Sequence, residues 1–198
     1  IDVITGGFPC QDISLAGGLA GLDGARSGLW SEIVRLAREL RPSHIIVENV
    51  ANLLAGPSER PGAWFGRVLG DLAGERYDAV WDRIPAEALG ADHERERVWI
   101  VAYAREARLP GGLQAGANGS YAARLREGLR LALAHAQPLP REHRDIKPVL
   151  GRGAHGVPDR SHRVGALGNA VVPQIPEILG RAILAAGVSS TLNQMKAA

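Results

Sequence analysis

The stretch Ile-Thr-Gly-Gly-Phe-Pro-Cys-Gln-Asp-Ile-Ser, from Ile4 to Ser14, constrains this chain more than any other. The short apolar run from Asp2 to Thr5 reads as a strand, expected to break at the paired glycines Gly6 and Gly7. Those glycines let the backbone turn tightly and let a ligand come close. Pro9 fixes its own φ and keeps Phe8 extended, so the approach to Cys10 is stiff. A thiol on a pre-shaped turn at the carboxyl end of a strand is where an α/β sheet places its chemistry. Taken alone, however, the single cysteine of 198 residues reads as a small buried hydrophobe.

The periodicity that follows fits such a sheet. Ser14 to Gly28 is rich in Gly and Ala and reads as a loop able to act as a lid beside Cys10. Leu29 to Leu40 carries a helical apolar stripe, with Arg35, Arg38 and Glu39 on the other side and Pro42 as the stop. His44 to Glu48 reads as a buried parallel-type strand. Together these make a βαβ unit with Cys10 and Glu48 at the carboxyl ends of neighbouring strands. Trp64, Phe65, Val68, Leu69 and Leu72 mark a second helix ending near Gly74, and Tyr77–Trp81 and Val98–Tyr103 are strand candidates. Tyr121 to Ala134 is helical in pattern, and a last helix is expected after Pro173, capped at Gly187 and followed by a frayed polar tail from Ser189.

Composition sets the outer limits. Apolar residues at 45% and charged residues at 22% suit a soluble globular domain, no apolar run is long enough for a membrane span, and no secretory leader is apparent. One cysteine excludes an internal disulfide framework, and no Cys/His cluster has zinc spacing, so no metal is expected. A reducing, intracellular setting fits a working thiol. From residue 104 to 163 there are eleven Lys/Arg against five Asp/Glu, while the remainder has twelve against sixteen. That asymmetry suits a module facing a polyanion; it equally suits a solvated Arg-rich loop.

Gly-Phe-Pro-Cys-Gln closely resembles the Pro-Cys motif of DNA (cytosine-5) methyltransferases. Further motifs of that family follow in order. Glu48-Asn49-Val50 is the second; His93-Glu94-Arg95-Glu96-Arg97 resembles Gln-x-Arg-x-Arg with His in place of Gln; Gly168-Asn169-Ala170-Val171-Val172-Pro173-Gln174 is close to the final motif. Each short motif is weak evidence alone. Three in register with the Cys motif identify the chain as a member of this family.

The resemblance implies a Rossmann-like α/β S-adenosylmethionine-dependent methyltransferase sheet. It implies a catalytic α/β part over 1–103, a short basic target-recognition segment over 104–163, a returning motif and helix over 164–188 and a tail over 189–198. It assigns Cys10 as nucleophile, Glu48 as the acid facing the base, and Arg95 and Arg97 as the pair that orients base and phosphate. Asn49 would hold local backbone. Gly7, Pro9, Leu29, Asn169 and Ala170 would line the pocket for S-adenosyl-L-methionine, and Gln11, Ser14, Arg26 and Arg97 would meet DNA. Double-stranded DNA is the implied partner and a cytoplasmic, bacterial or phage-encoded monomer the implied form.

The residue types suit the chemistry, because a thiolate adding at C6 of cytosine makes C5 nucleophilic toward a sulfonium methyl. In isolation, Glu48 reads instead as a cap of the next segment, and Arg95 and Arg97 as an alternately charged strand edge. The family's Phe-x-Gly-x-Gly turn and the acidic residue after it are absent and expected upstream of Ile1, so the 198 residues are expected to be a weakly active or inactive fragment. A tRNA-methylating relative and a non-catalytic DNA-binding remnant are the alternative readings.

Overall fold

The computed structural model describes residues 1–8, 29–56, 60–91, 94–106, 120–136 and 170–195. Among them are the strands β1 (Val3–Gly7), β2 (His44–Val50), β3 (Tyr77–Ile84) and β4 (Arg97–Ala104). They form one sheet in the order β1-β2-β4-β3. β1 and β2 are parallel, and β4 lies antiparallel between β2 and β3, so β3 points the same way as the first two. The helices are α1 (Leu29–Leu40), α2 (Ala63–Gly74), α3 (Ser120–Ala134) and α4 (Gln174–Met195).

The two central strands are apolar on both sides because both faces of the sheet are covered. Alternation sends Ile45 and Val47 of β2, with Val98, Ile100 and Ala102 of β4, toward α1 and α2. There they meet Trp30, Ile33, Ala37, Trp64, Phe65, Val68 and Leu72. Ile46, Trp99, Val101 and Tyr103 face the other way, against Tyr121, Leu125 and Leu129 of α3 and Ile175, Ile178, Leu179, Ala182 and Ala186 of α4. The α/β class expected from the alternating elements is therefore the observed one.

Each core has a polar stitch. Trp30 donates from Nε1 to Asp71 Oδ2 at 2.8 Å, joining α1 to α2. On the other face, buried His44 shares a hydrogen bond of 2.7 Å between Nε2 and Tyr121 Oη, while its Nδ1 lies 3.0 Å from Ser43 Oγ. Burial lowers the His44 pKa and pushes that of Tyr121 up to about 12, so both groups sit there neutral.

Several expectations are corrected. β1 does not break at its paired glycines but runs through them, pairing Gly6 with Val47 and Gly7 with Glu48. Their missing side chains serve close packing: a Cβ on Gly6 would lie 3.1 Å from Ile33 Cδ1 of α1. β3 continues past Trp81 to Ile84, held by pairing along β4. α4 does not stop at Gly187 and runs on to Met195, so the tail from Ser189 is helical over most of its length. A single interior glycine costs a helix only about 1 kcal/mol. Apart from these corrections, α3, which falls inside the 104–163 segment, packs on the sheet beside α4. Gly128 lets the two helices approach, since a Cβ there would meet the Ala182 carbonyl oxygen at 3.4 Å.

Gly56, just beyond the short 3-10 turn Ala51–Leu54 that follows β2, lies under the Trp64 ring. A Cβ there would come within 2.1 Å of Trp64 Cζ3. Gly56→Ala is therefore expected to destabilise the fold by about 1–3 kcal/mol in urea unfolding. Gly66→Ala, on the exposed side of α2 with nothing within 4 Å, is expected to be neutral or to stabilise by up to ~1 kcal/mol. Equal effects of the two substitutions would contradict the packing described here.

Candidate active site

Glu48 lies near the carboxyl end of β2, directly opposite Gly7 of β1 in parallel register. On its other side β4 presents Trp99 opposite Glu48 and Arg97 opposite Val50, two residues along. The Arg97 guanidinium crosses that diagonal, with Nε 3.0 Å from Glu48 Oε1. Its Nη1 also donates to the Glu96 carbonyl oxygen at 2.9 Å. The second carboxylate oxygen faces β1, where a Cβ on Gly7 would lie 3.2 Å from Glu48 Oε2. The carboxyl group is thus gripped on one side by a guanidinium and bounded on the other by bare backbone.

Both partners are mostly buried, at 20% and 19% side-chain exposure. Burial raises the Glu48 pKa, and that effect outweighs the opposing pull of the Arg97 and Arg95 charges. A carboxyl group that keeps its proton more readily than usual, fixed in orientation, is suited to donate a hydrogen bond to an arriving acceptor.

The neighbouring residue holds the backbone. Asn49 is buried, donates from Nδ2 to the Phe8 carbonyl oxygen at 3.2 Å and accepts from the Val50 N–H at 2.8 Å. Phe8 is itself buried and packs on the Trp30 ring at 5.4 Å between centroids. The residue that immediately precedes Pro9 and Cys10 in the sequence is therefore pinned by both its carbonyl and its ring.

Arg95 lies just before β4 with a left-handed backbone, φ 33°. Its Nη2 donates to the Ala170 carbonyl oxygen. Of the residues singled out in the sequence, Gly7, Glu48 and Arg97 come together directly, and Arg95 meets Ala170 while its charge reaches Glu48. Leu29 opens α1 with 52% exposure. Pro9, Cys10, Gln11, Ser14, Arg26, His93 and Asn169 lie outside the described residues.

Two site contacts were not anticipated from the sequence. Gly7 borders the Glu48 carboxyl group as well as standing where the donor pocket is expected. A longer reading of the first strand would have revealed this, since pairing through Gly7 puts it opposite Glu48. The Arg95 contact to Ala170 spans 75 residues and leaves no local signal.

Among the described residues no group of three or more His, Cys, Asp or Glu could hold a metal ion, and no helix is long and apolar enough to cross a membrane. Gly7 and Ala170 are exposed and Leu29 is half-exposed.

Residues 1–134 match the family model described as C-5 cytosine-specific DNA methylase. The chain is 36% identical over 108 residues to the Type II methyltransferase M.Sau3AI of Staphylococcus aureus, covering 53% of this chain and 26% of that protein. It is 36% identical over 105 residues to the Type II methyltransferase M1.ScrFI of Lactococcus lactis subsp. cremoris, again covering 53% of this chain and 26% of the other. The solved structure of the Entamoeba histolytica methyltransferase EhMeth overlaps 98% of this chain and 77% of that one, at 14% identity and a TM-score of 0.44. The chain thus spans about a quarter of the length of the curated relatives it matches.

The raised Glu48 pKa has a consequence for stability. A carboxyl group that binds its proton more tightly when folded favours folding at low pH. It turns against folding as pH rises from its ordinary value of 4.5 through the raised one. Glu48→Gln cannot ionise, so as pH rises above that ordinary value its unfolding free energy is expected to gain on that of the parent chain. Urea titrations at several pH values measure this. A flat or opposite trend would mean that the Arg97 attraction, not burial, dominates.

Proposed function

The chain belongs to the C-5 cytosine-specific DNA methylase family, and from that premise we propose that it carries the base-binding and nucleophilic part of an enzyme that methylates C5 of cytosine in duplex DNA. The relatives it matches are Type II methyltransferases, and we place it in their company as a DNA-modifying enzyme. What supports the reading best is the Glu48 carboxyl group, mostly buried, oriented by Arg97 and bounded by Gly7, on the strand next to the one that leads to Pro9 and Cys10.

In this reading the target cytosine leaves the base stack, at a cost of a few kcal/mol, and enters beside Glu48. Protonated Glu48 donates to N3 and its other oxygen accepts from the N4 amine, so the ring draws electrons and C6 becomes electrophilic. Arg97 holds the carboxyl group in the rotamer that makes this possible. The Cys10 thiolate adds to C6, and the electron pair released toward C5 takes up the methyl group. Loss of the C5 proton then re-forms the double bond and expels the thiolate. S-adenosylmethionine, when bound, supplies the methyl group as an electrophile on sulfonium. Gly7, Pro9, Leu29, Asn169 and Ala170 are the residues proposed to hold it, and Gln11, Ser14 and Arg26 to meet the DNA.

Asn49 has a definite part in this scheme. By holding the Phe8 carbonyl it fixes the residue from which Pro9 and Cys10 follow in the sequence. A nucleophile held near its target gains from lost freedom that need not be removed again at the moment of reaction.

The test is trapping. Incubated with S-adenosylmethionine and duplex DNA bearing 5-fluorocytosine, the full-length protein is expected to form a denaturation-resistant adduct that Cys10→Ala abolishes. Glu48→Gln is expected to slow adduct formation by roughly 10²–10⁴-fold. Salt-sensitive DNA binding with no adduct, or an adduct on RNA and none on duplex DNA, would overturn the proposal.

A further inference from the structure

Arg95 and Arg97 are two residues apart at the start of β4 and invite the same assignment, yet they are tied to different things. Arg97 grips Glu48, whereas Arg95 reaches the Ala170 carbonyl oxygen, at the start of the segment that leads into α4. We propose that Arg95 is a positioning residue rather than a base or phosphate contact: it straps the 170–173 segment to the rim of β4, so that Ala170 keeps a fixed place relative to the Glu48–Arg97 pair.

Residues 94–97 are fastened one after another. The Glu94 carbonyl accepts from the Ala86 N–H at 2.6 Å, Glu96 Oε1 accepts from Arg83 Nη1 at 3.2 Å, and Arg97 holds Glu48. Between these anchors Arg95 adopts a left-handed backbone that a non-glycine residue takes only when its surroundings impose it.

The other end of the strap explains the need. Ala170 is exposed and Val171 is 44% exposed, so before Ile175 enters the second core the segment's apolar hold comes from Val172, which packs half-buried against it. Its own backbone bonds, Ile175 N–H to the Val172 carbonyl at 3.0 Å and Glu177 N–H to the Pro173 carbonyl at 3.4 Å, are local and start the helix without attaching it to the sheet. Among the described residues, Gln174 Oε1 and Trp99 Nε1 are buried with no partner, so these two groups add no polar adhesion where the helix begins. A charged donor on a backbone carbonyl is a strong form of hydrogen bond and suits the task. The same guanidinium acts on the Glu48 carboxyl through its charge, so a shift of the strap would be felt at the acid as well.

This inference rests on the proposed function only for the meaning of Ala170 as part of the donor site. Its first test does not depend on activity. Hydrogen exchange read by mass spectrometry is compared for the parent chain, Arg95→Met, Arg95→Lys and Arg97→Met. Arg95→Met is expected to raise exchange over residues 171–178 about tenfold or more while leaving β1 and β2 protected, and Arg95→Lys to restore part of that protection. Arg97→Met is expected to leave 171–178 unchanged. In the full-length protein, Arg95→Met is expected to raise KM for S-adenosylmethionine about tenfold with KM for DNA unaltered, whereas Arg97→Met lowers kcat. Unchanged exchange over 171–178, or a rise in KM for DNA with none for the donor, would overturn the assignment. Failure of adduct trapping would remove the proposed function but leave the exchange result to decide whether Arg95 is the strap.

Discussion

The bond between Arg97 and Glu48 ties the candidate site of this molecule to the register of its sheet. The two residues are not opposite one another but lie diagonally across an antiparallel pair, where long side chains still reach. A slip of one residue between β2 and β4 would send Arg97 to the other face and leave Glu48 mostly buried without its cation. An uncompensated charge in such surroundings is far costlier than the pair is favourable. The ion pair therefore contributes less as a source of stability than as a condition that only the native register satisfies.

The same alternation divides labour between adjacent residues. Glu48 points with Ile46 toward the α3–α4 side and meets Arg97, while Asn49 points toward the α1–α2 side and holds Phe8. One short strand thus positions both the Glu48 carboxyl group and Phe8, the residue before Pro9 and Cys10 in the sequence. Loosening either contact would disturb the other through the backbone that they share.

Much of this was legible beforehand. The stripe Trp30, Ile33, Ala37 marked α1 with its observed bounds, and Trp64, Phe65, Val68 and Leu72 marked α2, because helix periodicity is a local property. β2 stood out because burial on both faces leaves a strand apolar throughout. The strand ends did not, since Gly6, Gly7 and Arg83 are strand residues by virtue of their partners rather than their propensities. Tyr121, Leu125 and Leu129 were visible as a helical face, but nothing in their spacing said that the face would cover the sheet. In the candidate site, motif resemblance singled out Glu48, Asn49 and Arg97, and the fold brings Glu48 and Arg97 into contact. The different fate of Arg95 depends on a contact between distant parts of the chain, which no motif encodes.

Among the described residues β4 is the last strand, and yet it lies inside the sheet, between β2 and β3. During synthesis, β2 and β3 must both emerge before the strand that joins them, and until then each exposes backbone edges that have no partner. Closing those long loops makes assembly slow relative to helix formation. A nascent chain stopped before residue 97 would hold β1 paired with β2 and leave β3 stranded, so the four described strands become one sheet only when Ala104 has been made.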